Sequence, residues 1–280
     1  MSIYIHWVQV SLNRVARAGL KEDGDLGPRT RAAITAFQEG NGLTPSDGVV
    51  RPATVAALVA AGADQPPVWA LGGLSTKYET GGRGSTTISG GVGDAGGVSY
   101  GSYQMTSANG GTVARFVSQP DFPWRGDFAN LTPGSREFSD AWTDIATNFP
   151  EEFKAAEHEF IQRTHFDPLC DKIQADDGVD ITTCSHAMQD VIWSTAVQHG
   201  PNANVVHQAF AEMRNARTFD TADPEFERNA IVAIYDERGR KDANGVLVHF
   251  SHNSPSVQDG VAKRFVAEKA DALFMLDFGV

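Results

Sequence analysis

Residues 23–30, Asp-Gly-Asp-Leu-Gly-Pro-Arg-Thr, return 24 positions later as Asp47-Gly48-Val49-Val50-Arg51-Pro52-Ala53-Thr54. This internal repeat constrains the fold because both copies carry the same local signals. Asp-Gly supplies a turn, and the proline falls near the first helical position, where its missing N–H costs nothing. Each copy leads into apolar residues at helical spacing, Ala33, Ile34 and Phe37 in the first and Val55, Leu58 and Val59 in the second. With an opening helix that carries Val8, Leu12 and Val15, the chain up to Ala61 reads as a small three-helix unit.

These residues resemble the peptidoglycan-binding domain 1 family. The resemblance rests on Val8-Gln9 and Leu12-Asn13, on Asp23-Gly24 with Gly27-Pro28 and Thr30, on Ala33, Phe37-Gln38 and Gly42-Leu43, and on Asp47-Gly48 with Thr54 and Leu58. It implies peptidoglycan as a partner. One departure is Arg51, where the first copy has Gly27, so the second turn is expected to be less tightly wound. The plainer alternative is a helical packing or dimerisation module.

Beyond Ala61, the run Gly62-Ala63-Asp64-Gln65-Pro66-Pro67 interrupts any helix. We therefore divide the chain into a three-helix domain over residues 1–62, a linker over 63–70 and a larger domain over 71–280. The larger domain reads as a short helix, a Gly-rich β-segment and then helices near 136–147, 151–163, 186–198, 203–214, 224–237 and 257–275. The helix from Ala187, with Met188, Val191, Ile192, Ala196 and Val197, is apolar enough to lie at its centre. The fold class is mainly α, or α+β in the loose sense, with a small hairpin region beside a cleft.

Composition narrows the function. A net charge of −12 over 280 residues argues against nucleic acid or an anionic membrane as a bulk electrostatic partner. The 41% hydrophobic content is ordinary for a soluble globular chain, and no window approaches the roughly eighteen apolar residues of a membrane span. The opening Met1–Gln9 has no basic region, apolar core or cleavage site of a Sec signal, so delivery by another machine is expected. Cys170 and Cys184 flank an apparent acidic loop, Asp176-Asp177-Gly178, and read equally as a bridge or as two free thiols. No cofactor or metal site is expected. His249 and His252 form H-x-x-H without an intervening Glu or a third ligand, and no CxxC accompanies the cysteines.

The chemistry concentrates between residues 71 and 106. Glu79 closes the run Leu71-Gly72-Gly73-Leu74-Ser75-Thr76-Lys77-Tyr78 at the expected end of a helix, where partial burial would keep its carboxyl protonated near neutral pH. Asp94 follows within Gly93-Asp94-Ala95-Gly96-Gly97, on a segment expected to return as one arm of a hairpin in a more solvated setting. Two carboxyls in different environments are what glycosidic cleavage requires: a proton for the departing oxygen and a carboxylate for the developing positive charge. The alternative for Asp94 is a turn residue bonded to its own backbone.

This segment resembles the lysozyme-like superfamily, in which a helix-end Glu is followed, after a Gly-rich β-segment, by Ser-Tyr-Gly-x-Tyr-Gln, here Ser99-Tyr100-Gly101-Ser102-Tyr103-Gln104. The resemblance implies that Glu79 is the general acid and that Ser99, Tyr100, Tyr103 and Gln104 shape the substrate cleft. Tyr100 and Tyr103 could instead seal the hairpin against the core. Gln198 and His199, at the end of the apolar helix, are further cleft candidates, with a dipole-compensating cap as the plainer reading of His199. Tyr235, Arg238 and the Arg264/Glu268 pair read as weaker hints or as plain ion pairs.

The resulting expectation is a peptidoglycan hydrolase cutting between N-acetylmuramic acid and N-acetylglucosamine, with Glu79 as acid and Asp94 as second carboxylate. The alternatives are a lytic transglycosylase that uses Glu79 alone, and a non-catalytic wall-binding or phage-tail structural protein. Such an enzyme would be made in the cytoplasm and reach the wall by holin-dependent release or through a secretion apparatus. An interbacterial effector would also imply an immunity protein.

Overall fold

A computed structural model describes residues 2–74, 84–90, 97–108 and 111–279. The chain runs through α1 (Ile3–Ala16), α2 (Pro28–Gly40), α3 (Pro52–Ala60), β1 (Ile88–Ser89), β2 (Ser99–Tyr100), β3 (Met105–Thr106) and α4 (Thr112–Val117). It continues through α5 (Arg136–Asn148), α6 (Pro150–Ile161), α7 (Asp167–Asp177), α8 (His186–His199), α9 (Val205–Asn215), α10 (Phe226–Arg238) and α11 (Pro255–Phe278). At 59% helix and 3% strand the fold is mainly α, as the sequence led us to expect. Each of the six helices expected beyond residue 130 is present within a few residues of its expected ends. The expected acidic loop at Asp176-Asp177 is instead the last turn of α7, which Gly178 ends at φ +73°. Among the described residues, no helix is long and apolar enough to cross a membrane.

Two compact units result. The first comprises Met1–Leu74, Lys172–Thr195 and Ala203–Val280, and the second Ser75–Asp171 with Ala196–Asn202.

In the first unit, the internal repeat has a structural cause. Gln9 on α1, 1% exposed, accepts from the Gly24 amide at 2.7 Å and donates to Asp23 Oδ1, the Asp25 carbonyl and Thr30 Oγ1. Gln38 on α2, also 1% exposed, accepts from the Gly48 amide at 3.0 Å and donates to the Val49 carbonyl and Thr54 Oγ1. Each Asp-Gly turn is thus fastened by a buried glutamine from the preceding helix, with the glycines at φ +67° and +75°, where a side chain would be strained. The loosening expected at Arg51 does not occur. Gly27 and Arg51 are both extended at the starts of their helices, a conformation open to any residue, and Arg51 closes a two-pronged pair on Asp47.

Tyr4 and Trp7 of α1 pack on Phe278 of α11 with ring centroids 5.2 and 5.6 Å apart. The segment expected as a linker is held as well. Trp7 Nε1 donates to the Asp64 carbonyl, Arg14 pairs with the Asp64 carboxylate at 2.7 Å, and Trp69 stacks on His186 at 3.7 Å. The interior of α8 is buried as expected, with Ala187, Met188, Val191, Ile192, Trp193 and Ala196 inaccessible.

The second unit is built on aromatic packing. Phe116 of α4, Phe138 and Trp142 of α5, and Phe153 and Phe160 of α6 share a core with Tyr100 of β2. The sheet is antiparallel in the order β1-β2-β3, with Ile88 opposite Tyr100 and Tyr100 opposite Met105.

Gln38→Ala would leave the Gly48 amide, the Val49 carbonyl and the Thr54 hydroxyl without their buried partner. A loss of roughly 2–4 kcal/mol of stability is expected in urea unfolding followed by circular dichroism. An unchanged unfolding curve would contradict the fastening role.

Candidate functional site

Glu79 and Asp94 lie outside the described residues, and the structure gives the frame on either side of them. Ser99, Tyr100, Tyr103, Gln104, Gln198 and His199 all belong to the second unit. Ser99 and Tyr100 form β2 and are buried. The Tyr100 hydroxyl pairs with Ser139 Oγ at 2.8 Å and accepts from the Gly134 amide at 3.2 Å, while its ring meets Phe138 and Trp142 at 5.1 and 5.2 Å. Its observed contacts therefore seal the sheet against the helices. Tyr103 is half-buried, with its hydroxyl 3.0 Å from His158 Nδ1. Gln104 takes φ +49° to close the β2–β3 turn, and its amide donates to the Gly101 carbonyl at 3.0 Å. Gln198 and His199 are half-buried in the last turn of α8, where a histidine faces the negative end of the helix dipole.

Behind the β2–β3 turn sits a carboxyl that the sequence reading did not single out. Glu157 of α6 has no solvent exposure. Its Oε1 accepts from the Ser102 amide at 3.1 Å, and its Oε2 faces two hydroxyls, Ser102 Oγ at 3.2 Å and Ser85 Oγ in close contact. Burial pushes its pKa up to about 7, against the lowering effect of these hydrogen bonds and of Lys154 one turn earlier. The Trp142 indole N–H donates to the Ser85 carbonyl at 2.8 Å, and the Gly101 amide donates to the Thr87 carbonyl at 2.7 Å. Gly101 has φ +72°, and a Cβ there would fall 1.8 Å from Glu157 Oε1 and 2.9 Å from the Trp142 ring. The glycine of the Ser-Tyr-Gly-x-Tyr-Gln segment is thus required by the carboxyl behind it.

In the first unit, Asp190 of α8 does similar work at the start of the segment that leads to Glu79. Its two oxygens accept from the Gly72 amide at 2.8 Å and the Leu74 amide at 2.9 Å. Burial raises its pKa to about 6, opposed by these amides and reinforced by the charge of Glu268. Gly72, at φ +82°, lies flat on Trp193, where a Cβ would come within 2.7 Å of the indole nitrogen. Nearby, Arg238 is fully buried, 3.0 Å from Ser194 Oγ and 3.5 Å from Glu268, with the Tyr235 and Phe265 rings under its guanidinium. Arg264 reaches the same Glu268 at 3.5 Å, so these residues form an ion-pair network inside the first unit.

Both cysteines are free, and the Cys184 thiol is pushed up to about 12 by burial, with Glu227 and Asp180 adding to it. His249 Nε2 lies 2.8 Å from Glu237, and among the described residues no three His, Cys, Asp or Glu side chains converge as metal ligands would.

Glu157 and Asp190 each left a trace in the sequence. Glu157 stands on the buried stripe of α6 with Phe153, Phe160 and Ile161, and Asp190 stands between Met188 and Val191. A lone carboxylate on an apolar helical face has to find hydrogen-bond partners, and here Asp190 finds two turn amides and Glu157 one turn amide with two serine hydroxyls.

Residues 71–269 match the family model described as type VI secretion system spike protein VgrG3-like, C-terminal. Residues 4–58 match the one described as "Putative peptidoglycan binding domain". Over 267 residues the chain is 34% identical to a Vibrio cholerae serotype O1 protein named type VI secretion system spike protein VgrG3, an alignment that takes in 88% of this chain and 24% of that protein.

Gly101→Ala places a methyl group inside the Glu157 and Trp142 contacts at a left-handed backbone position. A loss of about 3 kcal/mol or more is expected in thermal or urea unfolding. The carboxyls of Glu157 and Asp190 have folded pKa values of about 7 and about 6, above their ordinary values of 4.5 and 3.8. Raised acids favour the folded state at low pH, so this contribution is complete below pH 4 or so and lost as pH rises through 6 and 7. Glu157→Gln removes the Glu157 share, on the order of 3 kcal/mol, and should flatten the fall in stability between pH 5 and 8. An equally steep fall in the variant would contradict the assignment.

Proposed function

Since this chain belongs to the type VI secretion system spike protein VgrG3-like C-terminal family, we propose that it is a cell-wall-directed effector segment that cleaves peptidoglycan. The observation that carries this reading is the pairing, on one chain, of that family match with a peptidoglycan-binding match over residues 4–58. A wall-binding module gives a spike-delivered segment its target, and the bond cut is the β-1,4 link between N-acetylmuramic acid and N-acetylglucosamine. Delivery through the secretion apparatus brings the segment to the periplasm, where that polymer lies.

In this proposal Glu79 is the general acid. Its proton passes to the glycosidic oxygen as the bond from that oxygen to the anomeric carbon breaks, and positive charge develops on the sugar ring. Asp94 is the second carboxylate, stabilising that charge or taking the proton of the attacking water. Water adds its hydroxyl to the anomeric carbon. Its remaining proton goes back to Glu79 where Asp94 only stabilises the charge, or to Asp94 where that carboxylate acts as base, and in the second case proton exchange with solvent then restores the Glu79 acid and the Asp94 carboxylate. Support for the pair comes from their placement in the chain. Along the sequence, Asp94 falls between β1 and β2, and Glu79 falls between Leu74, whose amide Asp190 holds, and Ser85, which Glu157 holds.

Glu79→Gln is expected to lower the rate of sacculus cleavage by about 10²–10⁴ while leaving sedimentation with sacculi intact. Mass spectrometry of the released fragments should show reducing N-acetylmuramic ends. Anhydro ends would make the enzyme a transglycosylase working through Glu79 alone, and intact sacculi after treatment with the wild-type chain would leave only a binding role.

A further inference from the structure

We propose that Glu157 is a positioning residue for the cleavage reaction. It straps the segment before β1 to the β2–β3 turn and so fixes both ends of the connection that carries Asp94. This assignment rests on the cleavage reading above, and the geometry behind it is independent of that reading.

The strands of this sheet are two residues long, too short for a ladder that holds itself. The β1–β2 connection leaves the sheet after Ser89 and rejoins it at Ser99. Whatever fixes those two points sets where the intervening residues can reach. Glu157 holds the chain just outside those points, from α6 with a single side chain, because Ser85 lies just before β1 and Ser102 just after β2. The two serines are themselves 3.3 Å apart at their hydroxyls, and Trp142 anchors Ser85 a second time through its carbonyl. A displacement of this frame by about 1 Å is enough to cost a reaction about 10² in rate, since catalytic groups act only within a narrow range of distance and angle.

The chemistry of the strap is specific. Oε1 faces the Ser102 N–H, which can only donate, whereas Oε2 faces two hydroxyls that can donate or accept by rotating. A carboxylate, a carboxylic acid protonated on Oε2 and a glutamine with its amide nitrogen in that place all satisfy the same partners. An apolar side chain satisfies none of them. Glutamine is therefore the conservative replacement and leucine the disruptive one.

The test compares Glu157→Leu, Glu157→Gln and the double variant Ser85→Ala/Ser102→Ala in the full chain, on purified sacculi, with Glu79→Gln as the inactive control. The serine double variant should lower kcat about tenfold or more with KM within about threefold, Glu157→Leu should do at least as much, and Glu157→Gln should recover most of that loss. Hydrogen exchange of the Gly101 and Ser102 amides should quicken in the serine and leucine variants while amides of α1–α3 keep their protection, which also reports that the variants are folded. Wild-type kcat in the serine double variant, or glutamine as damaging as leucine, would overturn the proposal. A wild-type chain as inert as Glu79→Gln would overturn the cleavage reading and with it the catalytic assignment, and exchange at Ser102 would then report on the strap alone.

Discussion

Where α6 meets the sheet, a carboxyl with no exposed surface takes the Ser102 amide on one oxygen and two serine hydroxyls on the other. A polar group so placed is costly unless every partner stays within hydrogen-bond reach, so helix and sheet cannot slide past one another. The constraint spreads outward. It demands a glycine at 101, fixes the turn that Gln104 closes, and brings Ser85 to the Trp142 indole. The surrounding Phe116, Phe153 and Phe160 supply the low-dielectric setting that makes both the cost and the fastening large.

The first unit uses the same device three times. Gln9, Gln38 and Asp190 are buried polar side chains on helices, and each holds the backbone of a glycine-containing turn: Gly24, Gly48 and Gly72. Apolar stripes bring helices together with little preference among nearby registers, whereas a buried amide or carboxylate accepts one arrangement of donors and acceptors. Packing supplies most of the stability here, and these polar groups select which turn lies against which helix.

The helical architecture was legible because apolar spacing and breaker residues act locally. The last six expected helices match α5, α6 and α8–α11, and the repeat was readable as two turns leading into helices. Less visible was why the repeat exists. Gln9 and Gln38 counted only as part of a family resemblance, yet they are the partners that the two Asp-Gly turns require. Helix α7 was missed altogether: no helix was expected between residues 163 and 186, and Asp176-Asp177-Gly178 resembles turn composition, whereas both aspartates are helical and the left-handed Gly178 follows the last turn. At the candidate site, Tyr100 illustrates the limit of local reading. Its position in Ser-Tyr-Gly-x-Tyr-Gln fits either a cleft wall or a core seal, and only the long-range contacts to Ser139, Phe138 and Trp142 reveal the seal. Glu157 stands 55 residues from Ser102, a distance over which no periodicity in sequence carries information.

The first unit also bears on how wall binding would act. A flexible tether raises the local concentration of substrate and leaves orientation free. The segment between α3 and residue 71 is not built that way. Asp64 is held by Trp7 and Arg14, Trp69 is stacked on His186, and α1 is packed on the end of α11 through Tyr4, Trp7 and Phe278. The three opening helices therefore belong to the same compact unit as α9–α11. Peptidoglycan engaged by those helices would orient the whole first unit, including the Asp190 oxygens that hold the amides of Gly72 and Leu74. Under the proposed reading, wall binding by these helices would therefore act through orientation of the first unit as well as through proximity.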